Sequence, residues 1–224
     1  MTLQLSSHFV AFIDILGFSE MVRADCESVQ EPRFLELLHN AHLRATAIFG
    51  RDLDAGLIQF SDSIVLSRPF QLDALPLFIE SIATWQRSLL LDGLICRGGV
   101  TFGKHFVKDR FLFSKGLIDA YHLESTQAKY PRIVVSKNLL ELAAPIVDVQ
   151  NLLLIKEEDG ITFIDYLVID GDDEKRDTLS TATQTVIESA PHGNASVQEK
   201  MRWLARYADH KLGTNLSGPR FAIL

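Results

Sequence analysis

The chain has 224 residues, 47% of them hydrophobic and 23% charged, with a net charge of −7. That supplies a core for a domain near the upper end of single-domain size and excludes a disordered or fibrous chain. The acidic balance excludes a general nucleic-acid binder, which needs a basic surface, while a triphosphate carried by metal ions and a few local bases stays compatible with it.

Residues 8–16 are apolar at nearly every position and read as a strand buried on both faces. Asp14 breaks that run, and an ionised carboxylate there is costly unless a cation or strong donors meet it. Phe34, Leu37, Leu38, Ala41, Ala45 and Ile48 recur at helical spacing and predict a helix over 31–50. Apolar runs at 56–60 and 63–68 flank Ser61-Asp62, predicting a tight hairpin with a second acid at its break. Leu75, Phe78, Ile79, Ile82, Trp85 and Leu89 mark one face of a helix over 71–91. Strand character returns over 94–106, interrupted by Gly98-Gly99, and again at 110–113; a helix is expected over 116–128 and a strand over 132–135.

From Lys137 the pattern gives a short helix, strands near 150–155 and 161–169, and helices over 176–190 and 195–212. The last carries Trp203 and Tyr207 one turn apart. This interleaving predicts an α/β (α+β) sandwich, with helices on one face of a mixed, mainly antiparallel sheet. Residues 1–170 form one domain in this reading, and 171–224 a helical extension packed on it. Cys26 and Cys96 lack partners at metal-ligand spacing, no secretory signal precedes the first strand, and no apolar run reaches the ~18 residues that span a bilayer. A reduced, cytoplasmic protein with no membrane or nucleic-acid partner is expected.

Two acids at breaks in apolar strands suggest a shared divalent cation; the alternative is a buried acid paired to Arg97 and an ordinary turn aspartate. Neighbouring sequence narrows the choice. The run Ala11-Phe12-Ile13-Asp14-Ile15-Leu16-Gly17-Phe18-Ser19 resembles the first metal-binding strand of class III nucleotide cyclases, and Phe60-Ser61-Asp62-Ser63 falls where those enzymes place their second metal-binding aspartate. Arg97-Gly98-Gly99-Val100-Thr101-Phe102-Gly103, the run 116–125 and Pro131-Arg132-Ile133-Val134-Val135-Ser136 are similar to the strand, helix and strand that follow. The Gly-Gly pair after Arg97, Ala120-Tyr121-His122-Leu123-Glu124, Phe163-Ile164-Asp165-Tyr166-Leu167 and Trp203-Leu204 with Tyr207 resemble the pyrimidine cyclases of bacterial anti-phage defence, the Pycsar systems.

The resemblance implies a ferredoxin-like cyclase domain and a head-to-tail homodimer with its active sites at the interface. Asp14, Asp62 and the Ile15 carbonyl would hold two divalent ions, Mn²⁺ or Mg²⁺, with Arg97 on the phosphates. The implied reaction is UTP to 3′,5′-cyclic UMP and pyrophosphate, activating a separate effector; CTP cyclisation and a catalytically silent nucleotide-binding regulator stay open. Purine cyclases steady the transition state with an Asn and an Arg where this chain has Ile118 and His122, so Tyr121, Arg132 or another base would substitute. Adenine-reading Lys and Asp positions are Ile58 and Phe111 here, and Phe60 or Phe111 would narrow a pyrimidine pocket. Phe18, Ile58, Phe60, Arg97, Phe111 and Tyr121 are the expected substrate contacts. Residues 157–159 and 170–177 read as solvated acidic turns, His39 and His42 as surface residues, and Gly98-Gly99 with Gly103 lacks the Lys-Ser/Thr of a phosphate loop.

Overall fold

The computed structural model describes residues 3–50, 56–108 and 111–218. In chain order the elements are β1 (Ser6–Ile15), α1 (Phe18–Glu27), α2 (Arg33–Phe49), β2 (Gly56–Phe60), β3 (Ser63–Pro69), α3 (Leu75–Leu91), β4 (Cys96–Lys108), β5 (Phe111–Ser114), α4 (Lys115–Gln127), β6 (Ile133–Val135), α5 (Lys137–Ala143), β7 (Leu154–Lys156), β8 (Thr162–Ile164), α6 (Asp173–Ser189) and α7 (Ala195–Leu212). The eight strands form one sheet of order β2-β3-β1-β4-β6-β8-β7, with β5 paired to β4. Among the described residues only β4 and β6 run parallel. The stretch β1-α2-β2-β3-α3-β4, with β4-β1-β3-β2 side by side, is the ferredoxin-like arrangement the sequence implied. Arg110, expected to open the fifth strand, lies outside the described residues.

The alternation of β1 decides where the helices go. Phe9, Ala11, Ile13 and Ile15 pack with Phe49, Trp85 and Leu89 of α2 and α3. Val10 and Phe12 point the other way, into a smaller cluster with Val65 and Ala120 of α4. Helices therefore cover both faces, which corrects the one-face expectation. A strand apolar on both sides needs cover on both. Glycine lets α4 lie close on β4: a Cβ at Gly99 would stand 2.5 Å from the Ala120 carbonyl oxygen and 3.0 Å from the Glu124 amide nitrogen, and one at Gly103 would stand 2.9 Å from Gly116 Cα. At Gly99 the backbone that comes close is thus that of a helix.

The α6–α7 pair buries Met201, Trp203, Leu204 and Tyr207 against Phe163, Tyr166 and Leu167 in a second core. The Tyr207 hydroxyl donates to Asp165 Oδ1 (2.6 Å) and accepts from the amides of Tyr166 (3.0 Å) and Leu167 (3.2 Å). Nearby, Arg132 is 1% exposed. Its guanidinium pairs with Glu157 and Asp159 and donates to the Gln127 carbonyl, while Trp203 Nε1 donates to Glu157 Oε1 at 2.8 Å. Glu157 and Asp159 are therefore structural anchors, which corrects their reading as solvated turn residues. Among the described residues no helix is long and apolar enough to cross a membrane.

Candidate active site

Asp14 is the penultimate residue of β1 and stands in register opposite Ser63 of β3 and Arg97 of β4. The next residue, Ile15, donates its amide to the Asp62 carbonyl at 3.1 Å, which fixes the β2–β3 turn against the end of β1. That turn has two residues, Ser61 and Asp62, and Ser61 adopts a left-handed φ of 54° of the kind tight hairpins need. Chain connectivity thus brings the two aspartates together at one end of the sheet.

The electrostatics agree with that placement. Burial pushes the Asp14 carboxyl above its ordinary range; the Asp62 charge adds to the rise, and the Arg97 guanidinium opposes it. Arg97 Nε donates to Asp14 Oδ2 at 3.2 Å and lies 2.7 Å from Glu124 Oε1. Glu124, on the inner face of α4, is 2% exposed, and burial raises its carboxyl more than Arg97 lowers it. The paired-acid alternative is thus realised for Asp14, and Asp62 does sit in a turn, yet the two carboxylates also converge.

A hard divalent cation fits this donor set: two neighbouring carboxylates, one partly desolvated, and the Ile15 carbonyl, to which no loop or turn N–H donates among the described residues. Among those residues no group of three His, Cys, Asp or Glu forms a complete metal cluster. The pair would leave coordination positions for phosphate oxygens. Cys96, beside Ile15 in the ladder, is buried, and burial with the Asp14 charge holds its thiol well above the ordinary value, so it is inert at neutral pH.

The expected substrate contacts fall into two groups. Phe18, at the start of α1, is half-buried, and Ile58 of β2 packs against Val10, Phe12 and Val65. Among the described residues no side chain caps the α1 N-terminus at Gly17. Phe60 (55% exposed), Phe111 (60%) and Tyr121 (55%) project into solvent and are not core residues. Tyr121 rests edge-on against Phe12, with ring centroids 5.3 Å apart. Ile118 and His122 are also exposed on α4. Arg132, considered as a substitute transition-state base, is excluded from that role by its burial and its two acid partners.

Glu124 is the residue the sequence reading missed. It follows Ala120 by four positions and sits beside Leu123, so helical spacing already places a carboxylate on the buried face of α4. A separate cavity of about 760 Å³ lies along α7, lined by Tyr130, Trp203, Arg206 and Leu216 among others, and includes none of Asp14, Asp62 and Arg97.

No protein-family model and no curated protein matches the chain. Solved structures do. The chain is similar to the monomeric guanylyl cyclase domain of the RhoGC fusion protein from the aquatic fungus Blastocladiella emersonii, at 14% identity and a TM-score of 0.51 over 73% of this chain and 98% of that one. It is likewise similar to a bacterial light-regulated adenylyl cyclase, at 17% identity and a TM-score of 0.51 over 83% of this chain and 58% of that one. The fold is that of class III cyclase domains.

Proposed function

We propose that this protein is a nucleotide cyclase that converts UTP to 3′,5′-cyclic UMP and pyrophosphate. The observation that carries the reading is the convergence of Asp14 and Asp62 at one end of a cyclase-type sheet, with Arg97 in register beside them. Mn²⁺ or Mg²⁺ held by the two carboxylates and the Ile15 carbonyl would lower the pKa of the ribose 3′-hydroxyl and gather the phosphate oxygens. The 3′-hydroxyl gives up its proton to solvent, its oxygen attacks the α-phosphorus, the bond to the bridging oxygen breaks, and pyrophosphate leaves with the electron pair. Arg97 stands where its guanidinium can pair with phosphate oxygens and offset the charge spreading over them. The uncapped N-terminus of α1, which opens at Phe18, offers backbone amides to the same phosphates.

Uridine rather than adenosine is favoured because Ile58 and Phe111 occupy the adenine-reading positions, and neither side chain can hydrogen-bond a base. The site is open in one copy, and Phe60, Phe111, Phe113, Ile118 and Tyr121 expose large apolar side chains. A homodimer that buries them and completes each site from both subunits accounts for this exposure. The product would act on a separate effector in antiviral defence, as the resemblance to pyrimidine cyclases implies.

The test is incubation of pure protein with each nucleoside triphosphate and Mn²⁺, followed by mass spectrometry. Cyclic UMP supports the proposal, cyclic CMP transfers it to CTP, and a purine product overturns the base assignment. A second reading, a silent nucleotide-binding regulator, draws on Ile118, 68% exposed and unable to hydrogen-bond where purine cyclases carry an Asn; absence of product from every triphosphate would favour it. Asp62→Ala should abolish turnover and leave far-UV circular dichroism unchanged, and retained activity refutes the metal assignment.

A further inference from the structure

We infer that Glu124 is a positioning residue that gives Arg97 a second acid partner and so frees Asp14 for a divalent cation. The inference deepens the proposed cyclase reading and rests on it. In the structure Arg97 Nε is shared: Asp14 Oδ2 lies at 3.2 Å and Glu124 Oε1 at 2.7 Å. The same Asp14 carboxylate is the one a cation would need. A guanidinium and a divalent cation on one carboxylate repel each other, so cation binding at Asp14 works against its contact with Arg97. Without Glu124, a displaced Arg97 would lose both charged partners that hold it here. With Glu124, it keeps the nearer one and stays at the site, ready for phosphate.

Three features make this arrangement specific. Glu124 comes from α4 while Asp14 and Arg97 belong to the sheet, so helix packing sets the second partner independently of strand register. Gly99 admits that packing, since any Cβ there would stand 3.0 Å from the Glu124 amide nitrogen. Glu124 is 2% exposed, too enclosed to swing away or to exchange Arg97 for water.

The experiment is Mn²⁺ titration of the full chain without nucleotide, by isothermal calorimetry or by electron paramagnetic resonance of the free ion. Glu124→Gln should weaken Mn²⁺ binding by about tenfold or more, because Asp14 becomes the sole acid partner of Arg97. The double variant Arg97→Gln with Glu124→Gln removes the competitor as well and should return affinity to within about threefold of wild type. A role in anchoring α4 alone would leave the double variant as weak as the single one, and that result overturns the inference, as does a folded Glu124→Gln that binds Mn²⁺ like wild type. Should Glu124→Gln fail to fold by circular dichroism, the double variant, which removes Arg97 and Glu124 together, carries the test by itself. Asp62→Asn serves as the reference: if it binds Mn²⁺ unchanged, the metal reading fails rather than the role of Glu124.

Discussion

Gly99→Ala is the sharpest test of how this fold builds its site. The added methyl would stand 2.5 Å from the Ala120 carbonyl oxygen, 3.0 Å from the Glu124 amide nitrogen and 3.0 Å from Leu123 Cβ. Two of these neighbours are backbone atoms in the middle of α4, so no side-chain rotation relieves the contact. Helix and strand must separate by the better part of an ångström. Overpacking of this kind costs about 1–3 kcal/mol. In a chain of this size each kcal/mol lowers the melting temperature by about 2–4 °C. Urea denaturation followed by circular dichroism should show a lower midpoint with an unchanged m-value. Because the displaced segment carries Glu124, Mn²⁺ affinity should fall together with stability. Gly218→Ala, where nothing among the described residues lies within 4 Å of the added atom, is the control and should change neither. A Gly99→Ala protein as stable as wild type would refute the close seating of α4 on β4.

Other consequences are equally direct. Tyr207→Phe removes the hydroxyl that serves Asp165 and the amides of Tyr166 and Leu167; Leu167 keeps Asp165 Oδ1 at 3.3 Å and Asp165 keeps Lys211, so the Tyr166 amide is the buried group that loses its partner, at about 1–3 kcal/mol, and urea midpoints should fall while Mn²⁺ binding stays intact. His105 is 1% exposed, and burial, reinforced by the neighbouring His8, lowers its pKa from 6.5 to about 4. The folded state therefore binds fewer protons than the unfolded one between those values. The stability His105 contributes is complete above pH 6.5 and drains away as pH falls toward 4. His105→Gln should flatten the loss of urea midpoint across that window, and an unaltered slope would exclude His105 as its source. Ile118→Glu, at a position 68% exposed on α4, should convert the proposed dimer to a monomer in sedimentation velocity with far-UV circular dichroism unchanged; an unchanged sedimentation coefficient would move the proposed interface elsewhere.

Much of this molecule was readable from residues alone, and the gaps have physical causes. The two-residue hairpin at Ser61-Asp62 came out in register because apolar runs on both sides fix it. α2, α3 and α7 were visible because each places apolar residues on one face. α1 was not, since none of its residues is buried and so nothing in its pattern answers to a core. The placement of helices on both faces followed from β1 being apolar at odd and even positions, a clue the element order alone obscures. Arg132 looked like a free base because its acid partners, Glu157 and Asp159, come from a distant turn that local pattern cannot assign to it.

The same distinction explains why the site was half visible. A carboxylate in an apolar strand is anomalous by local context, and Asp14 and Asp62 both meet that criterion. Glu124 lies on a helix with polar neighbours at 122, 125 and 126, so its burial depends on where α4 is seated, which in turn depends on Gly99 and Gly103 two elements away. The glycines in β4 and the acid in α4 therefore act as one device: the absent side chains lower the helix until its carboxylate meets Arg97. Substituting a glycine or the glutamate should disturb the same quantity, the partition of Arg97 between Asp14 and Glu124. An effect on cation affinity shared by Gly99→Ala and Glu124→Gln, and not additive when the two are combined, is the signature of that coupling.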